Sequence, residues 1–284
     1  DWSSDVCSSD LTDILSLNST GWLHGQPEGR IVRVYWGAAD GFLLNRYHDT
    51  GIPDAIDLTT VAFGGQARAA VLAGDGALHL LAARTEAGHR RLEVETTVAL
   101  PAKDPTCLLW QPDGDGRLWI GTKGNVLLAY HPQDGVAALP AVPASHLALG
   151  RLDADEWPDL VLTNLKLGQA MGGEAVGAAT GAVSAVTILW GAESGHDHAR
   201  RLDLAIPQAI GTAIGDLDGD GHAELLVAVH QGDVDMDAQS RIYRGDGTRT
   251  LAEKFDPVPT QGARDIALAA HPAGHTAAFF ANSL

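Results

Sequence analysis

The chain has 284 residues, of which 19% are charged and 6% aromatic, and it contains 33 glycines. This composition favours many short strands joined by tight turns over long charged helices. The formal net charge of −17 argues against nucleic acid and anionic membranes as partners, because both need a basic protein surface. The sequence has no run of 18 apolar residues, so it predicts no transmembrane helix and no membrane insertion.

The first 11 residues, DWSSDVCSSDL, stand apart from the rest of the sequence. Their near-repeat SSDV/SSDL is typical of a translated sequencing adapter, and we interpret residues 1–11 as a disordered artefact. An ordinary polar terminus is the alternative. Without Cys7, Cys107 is the only remaining cysteine. A single cysteine excludes a disulfide framework and predicts a small buried hydrophobe in a strand.

A two-part pattern repeats along the sequence from residue 12 onwards. The first part is an acidic loop followed by an apolar strand, and some copies keep only the strand. Its copies are TDILSLN (12–18), FGGQARAAVLA (63–73), WQPDGDGRLWIGT (110–122), GRLDADEWPDLVLTN (150–164), GDLDGDGHAELLVAV (215–229) and AAHPAGHTAAFFANS (269–283). The second part is a β-rich run that ends in a glycine turn, with copies at RVYWGAADG (33–41), VTILWGAESG (186–195) and RIYRGDG (241–247).

Prolines separate these repeats, and four short strands in about fifty residues make the size of a propeller blade. The sequence therefore predicts an all-β fold over a single domain, 12–284. We expect a β-propeller of four-stranded antiparallel blades, with about five complete blades and a partial one. A Gly/Ala-rich insertion at 167–184 is predicted to be a loop. The blade-like units are approximately 12–52, 53–100, 101–139, 140–205, 206–258 and 259–284.

The acidic loop at 215–229 is the most informative segment of the chain. Asp216, Asp218 and Asp220 alternate, Gly221 follows, and Glu224 closes the run. Carboxylates at this spacing can wrap oxygen ligands around a hard cation such as calcium. An EF-hand is excluded, because its twelfth loop position would be Val227, inside an apolar β-type run rather than before a helix.

This loop-and-strand pattern resembles the calcium loop of FG-GAP/VCBS-type β-propeller repeats, which also occur in integrin α-subunit propellers. The resemblance implies that calcium is the cofactor. Its ligands would be the side chains of Asp216, Asp218 and Asp220, the backbone carbonyl of His222, and Glu224. Propellers of this family usually have seven blades, which favours a fragment of a larger propeller. The alternative is that the C-terminal strands complete the N-terminal blade.

Two further loops are weaker metal candidates. Asp153, Asp155 and Asp159 align with Asp218, Asp220 and Glu224, but Arg151 stands in place of Asp216. An ion pair from Arg151 to Asp153 or Asp155 could therefore replace the metal. The loop with Asp113 and Asp115 is weaker again, with a plain hairpin turn as the alternative.

Three other kinds of residue in the sequence could form binding sites: an Arg-Gly-Asp triplet, a His-Asp-His group and the tryptophans. The triplet Arg244-Gly245-Asp246 occupies the glycine turn of the repeat, so we interpret it as a chance match to an adhesion motif. We read His196-Asp197-His198 as a polar turn, since a third zinc ligand is missing nearby. Exposed aromatic residues on a propeller can stack on sugars, and Trp22 and Trp157 are ligand-binding candidates because they lie in predicted loops. We expect burial for Trp36, Trp110 and Trp190, which follow apolar runs.

The leading functional hypothesis is a non-enzymatic, calcium-binding β-propeller that binds or adheres to a protein or a polysaccharide. We expect it outside the cell, in the periplasm or at the cell surface, as a monomer or as part of a larger chain. One alternative is a propeller-based secreted polysaccharide lyase or hydrolase. The other is the sensory ectodomain of a larger receptor, because residues 115–130 resemble repeats in sensor-kinase ectodomain propellers.

Overall fold

A computed structural model describes residues 13–19, 30–38, 41–43, 45–114, 116–164, 185–206, 208–230, 237–251, 255–270 and 276–282. Within these ranges every regular element is a β-strand except one 3₁₀ turn, His198–Arg200. None of their helical segments has the length and apolar character needed to cross a membrane. Cys7, Trp22, Asp115 and the insertion 167–184 lie outside the described residues.

The chain divides into two compact units, residues 1–139 and 140–284. The first unit holds three antiparallel sheets, with strand orders β1-β2-β3, β4-β5-β6-β7 and β8-β9-β10-β11. The strands are β1 (Ile14–Ser19), β2 (Arg30–Tyr35), β3 (Tyr47–Asp49), β4 (Ala55–Phe63), β5 (Gln66–Ala73), β6 (Ala77–Glu86), β7 (His89–Ala99), β8 (Pro105–Gln111), β9 (Arg117–Thr122), β10 (Val126–His131) and β11 (Gly135–Pro140).

The second unit repeats the arrangement in sheets β12-β13-β14-β15, β16-β17-β18-β19 and β20-β21. Its strands are β12 (His146–Gly150), β13 (Asp159–Asn164), β14 (Ala185–Leu189), β15 (Arg201–Ala205), β16 (Ala209–Gly215), β17 (Glu224–Val229), β18 (Asp237–Tyr243), β19 (Asp256–Gln261), β20 (Ala263–Ala270) and β21 (Thr276–Asn282). Among the described residues, four sheets therefore have four strands, one has three and one has two.

The second strand of each four-stranded sheet is largely buried, and its sequence explains why. β17 reads ELLVAV and is buried along its whole length, and β13 is buried at all but its last residue. A short, continuous apolar run of this kind suits a strand covered on both faces. The fourth strand is largely exposed, and β7, HRRLEVETTVA, carries charges that discourage pairing with other chains.

Within each unit, neighbouring sheets pack face to face through these buried strands. In the first unit, Leu72 of β5 and Leu80 of β6 share one core with Ile120 of β9 and Leu128 of β10. In the second unit, Val161 of β13 and Val227 of β17 share another core. Each fully buried leucine or valine contributes roughly 1.5–3 kcal/mol, so packing between neighbouring sheets holds each unit together.

The structure shows the burial of the remaining cysteine and of three tryptophans, and where the last predicted boundary falls. Cys107 lies buried in β8, and burial raises the pKa of its thiol to about 12, so it is an inert core residue. Trp36 and Trp190 are buried, whereas Trp110 is half-buried. The predicted division after residue 258 falls inside β19, whose sheet continues to Gln261. A proline in that fourth strand is tolerated because the strand lies at the end of its sheet.

Candidate metal centre

The acidic loop of residues 216–223 connects β16 to β17 and is folded by its own carboxylates. Asp216 accepts the N–H groups of Gly219 and Gly221, at 2.7 and 2.9 Å. Asp218 accepts the N–H of Asp220 at 3.3 Å, and Asp220 accepts the N–H of His222 at 2.8 Å. Gly219 and Gly221 have φ values of 79° and 90°, which allow the sharp turns that side chains would resist.

This folding brings three of the five predicted metal residues together. Carboxylate oxygens of Asp216, Asp218 and Glu224 lie within 4.8 Å of one another. Asp220 lies on the same loop outside this group of side chains, and it accepts the N–H of His222. The predicted ligand from His222 is its backbone carbonyl, and that role stays a prediction. Three carboxylates converging beside a turn are suited to calcium, which prefers oxygen ligands in flexible geometries.

Glu224 closes the loop from the first position of β17. Its side chain is buried, and its Oε2 accepts the N–H of Leu217 at 2.8 Å. Burial raises the pKa of this carboxyl group above its ordinary value, and the nearby Asp218 adds to the effect. A cation would relieve this cost by supplying a positive charge to the buried carboxylate.

Arg244 pairs with two of the three converging carboxylates. Its Nη1 lies 2.7 Å from Asp218 Oδ2 and 3.5 Å from Glu224 Oε1, and its Nε donates to Asp256 Oδ2 at 3.0 Å. Two of the carboxylates that fit a divalent cation, Asp218 and Glu224, are therefore already paired with a guanidinium. A cation at this site must compete with Arg244.

The loop that precedes β13 is held by a second arginine. Arg249 Nε lies 2.7 Å from Asp153 Oδ2, and its Nη2 lies 2.7 Å from Asp155 Oδ2. The expectation that Arg151 would form this ion pair is wrong, because Arg151 is exposed while Arg249 arrives from the next sheet. Ala154 also donates its N–H to the carbonyl of Gly247 at 2.9 Å, which fixes Arg249 over the loop.

Asp159 lies at the position equivalent to Glu224. It is buried, and it accepts the N–H of Leu152 at 2.7 Å and that of Gly191 at 2.8 Å. Burial raises the pKa of this carboxyl group to about 6. Asp159 therefore ties the acidic loop to the glycine turn of the same sheet.

A second copy of this contact between a buried acid and a glycine turn was not predicted from the sequence. Asp13, just before β1, is buried and accepts the N–H of Gly37 at 2.9 Å, and Arg90 lies 3.5 Å from its other oxygen. The signal was present, since TDILSLN aligns with PDLVLTN and both precede a WG turn. Arg244 and Arg249 were also missed as partners of the acidic loops, because alignment of the repeats does not reveal contacts between different parts of the pattern.

The remaining candidates lie in turns. Trp157 is half-buried and donates its backbone N–H to Asp155, and its role in ligand binding stays a prediction, as does that of Trp22. In the Arg244–Asp246 triplet, Gly245 packs against the carbonyl of Ala223 so closely that a Cβ would lie 2.2 Å from it. Asp246 accepts two hydrogen bonds from Thr248. Gly245 and Asp246 of the triplet therefore contribute to the packing and hydrogen bonding of the turn itself.

Comparison with known proteins identifies the fold. No family model matches the chain, and no curated protein matches its sequence. BBS1N, solved in complex with ARL6DN, is similar with a TM-score of 0.54 and 11% identity, over 90% of this chain and 71% of that chain. The outer coat vertex of COPII on membranes is similar with a TM-score of 0.59 and 11% identity, over 99% of this chain and 69% of that chain.

A structure of the COPII coat assembled on membranes gives a TM-score of 0.59 at 11% identity, over 99% of this chain and 38% of that chain. These neighbours are β-propeller proteins, and the chain has the same all-β, β-propeller-like fold. None of them is an FG-GAP or VCBS protein. That resemblance therefore rests on the residues of the acidic loop and its copies.

Proposed function

We propose that this chain is a non-enzymatic binding module in which calcium, held by the 216–224 loop, stabilises a β-propeller-like scaffold. The observation that carries the proposal is the convergence of oxygens from Asp216, Asp218 and Glu224 within 4.8 Å. The loop glycines and the buried Glu224 support it, because they supply the turn and a carboxylate whose burial favours a bound cation.

The binding role is supported by the fold and by its neighbours. Propeller-like neighbours of this chain were solved in a complex with ARL6DN and in a coat on membranes. By analogy, we propose a protein or polysaccharide as the partner of this chain. We place it outside the cell, because extracellular calcium modules bind with Kd values of about 10⁻⁴ to 10⁻³ M, and such sites fill only where calcium is abundant.

Thermal unfolding tests the calcium proposal. At the tighter affinity, millimolar calcium adds roughly 1.4 kcal/mol by mass action, which corresponds to about 2–5 °C in Tm for a chain of this size. Asp218→Ala removes one of the converging carboxylates and should abolish the rise in Tm. Asp75→Ala, at an exposed turn whose carboxylate accepts the N–H of Ala77, is the matched control and should keep the rise.

Melting curves of the original chain that coincide in calcium and in chelator would rule the proposal out. A calcium response retained by Asp218→Ala would place the ion elsewhere. Isothermal titration with calcium then separates a bound ion from a general effect of ionic strength.

A further inference from the structure

The first unit contains a cavity of about 490 Å³ lined by residues from two neighbouring sheets. Phe63, Leu80 and Tyr130 contribute buried apolar surface. Polar groups come from Arg68, Glu95, Thr96, His131 and Gln133. Its volume falls in the range of small-molecule sites, which combine an apolar lining with a few polar groups that fix orientation.

Aromatic rings form one continuous side of this cavity. The Phe63 ring centroid lies 6.0 Å from that of Tyr130 and 6.0 Å from that of His131, and both pairs meet edge to face. The Trp110 ring packs against Phe63 with 4.8 Å between the ring centroids, also edge to face. Edge-to-face packing holds the rings in fixed orientations, so this side of the cavity is preformed.

The charges of the cavity are already balanced. Arg68 Nε lies 2.6 Å from Glu95 Oε2, and Arg84 lies 3.2 Å from the other oxygen of Glu95. The remaining guanidinium nitrogens of Arg68 donate to the carbonyls of Phe63 and Gln66 and to the Gln66 side chain. Of the lining residues, an anion would meet the carboxylate of Glu95 and a cation would meet the guanidinium of Arg68, so this paired lining favours a neutral ligand.

We propose that this cavity binds a neutral mono- or disaccharide. A sugar ring presents an apolar C–H face, which suits the aromatic side, and a rim of hydroxyl groups, which suits a mixture of donors and acceptors. Glu95 accepts hydrogen bonds from hydroxyls, while the amide of Gln133 and the hydroxyls of Thr96 and Tyr130 donate and accept. The inference rests on the proposed binding role and gives it a ligand class, but it does not depend on the calcium loop.

Ligand-observed NMR and calorimetry with common neutral hexoses, N-acetylhexosamines and their disaccharides, at up to tens of millimolar, test the assignment. At least one of these sugars should bind. Gln133→Ala and Tyr130→Phe should each weaken its binding roughly three- to tenfold, the loss of one hydrogen bond. Both variants should fold, since Gln133 is exposed and Phe keeps the buried ring. Gln239→Ala, at an exposed glutamine of β18, should leave the affinity unchanged.

Failure of every sugar to bind would overturn the inference. So would an affinity that Gln133→Ala and Tyr130→Phe both leave intact, or one lost only in Trp157→Ala. Repeating the titration in chelator and with Asp218→Ala separates the two proposals, because the sugar should still bind when the calcium response is gone. Cleavage of a bound sugar would contradict the non-enzymatic role while leaving the site in place.

Discussion

A buried carboxylate at the start of a buried strand recurs in three sheets, at β1, β13 and β17. Asp13 and Asp159 each accept the N–H of a glycine that follows a tryptophan, Gly37 and Gly191. Glu224 holds the equivalent position and accepts from its own acidic loop at Leu217. Satisfying such backbone donors compensates for the burial of the acid. The residue that a metal-site interpretation treats as the last ligand therefore also has a structural role.

Asp159 predicts a specific pH dependence. Its pKa of about 6 in the folded state lies above the ordinary value of 3.8, so the folded chain binds its proton more tightly than the unfolded chain. This group adds on the order of 2–3 kcal/mol to the free energy of unfolding. The contribution is complete below about pH 4 and is lost as the pH rises through 6. Asp159→Asn should therefore destabilise the chain more at pH 4 than at pH 7.

Urea unfolding of both proteins across this pH range measures the difference directly. Comparing the two proteins cancels the titration of other groups, provided that these groups do not interact with Asp159. A destabilisation by Asp159→Asn that stays constant, or that grows towards pH 7, would contradict the raised pKa.

At the scale of elements, the segment 244–249 after β18 serves two acidic loops. Arg244 pairs with Asp218 and Glu224 of its own sheet, and Arg249 pairs with Asp153 and Asp155 of the preceding sheet. The two loops nevertheless differ in chemistry. The 216–224 loop keeps its first carboxylate, whereas the other has Arg151 at that position. Among the described residues, three carboxylates converge only in the 216–224 loop.

Arg244→Gln should raise the calcium affinity of the 216–224 loop roughly tenfold, because a positive charge close to the ion is removed. Calorimetric titration measures the change. Arg249→Gln is the matched variant. It should leave the calcium affinity unchanged and lower stability by about 1–3 kcal/mol, since Asp153 loses its partner. Equal affinities in the original chain and Arg244→Gln would show that the guanidinium does not compete with calcium.

Elements within one repeat were predictable, while contacts between repeats were not. Alignment of the copies located β13 and β17 and the loops before them, because an apolar run after an acidic turn is a local pattern. Arg249 lies 94 residues from Asp155, and the cavity residues Phe63 and Gln133 belong to different sheets. Such pairings depend on how sheets stack, which periodicity does not encode.

For the molecule as a whole, charge repulsion is a general cost. A net charge of −17 disfavours the compact state, and salt shortens the Debye length from about 30 Å at 0.01 M to about 8 Å at 0.15 M. Sodium chloride added over this range, in chelator, should therefore raise Tm. A fall in Tm would mean that screening of ion pairs such as Arg249–Asp153 outweighs the relief of repulsion. The same series corrects the calcium melts for ionic strength.

The contact from Arg249 to the preceding sheet also bears on how such a chain can evolve. Repeat proteins change length by duplicating or deleting units, which is easiest when every unit accepts any neighbour. Here the repeat that contains β18 supplies the guanidinium of Arg249, which can form these ion pairs only with a neighbouring repeat that has acids at the Asp153 and Asp155 positions. If this repeat were placed next to a different repeat, the charge of Arg249 would have no acidic partner. The repeats that contain β13 and β18 are thus specific neighbours in a fixed order, and we expect them to be duplicated or lost together.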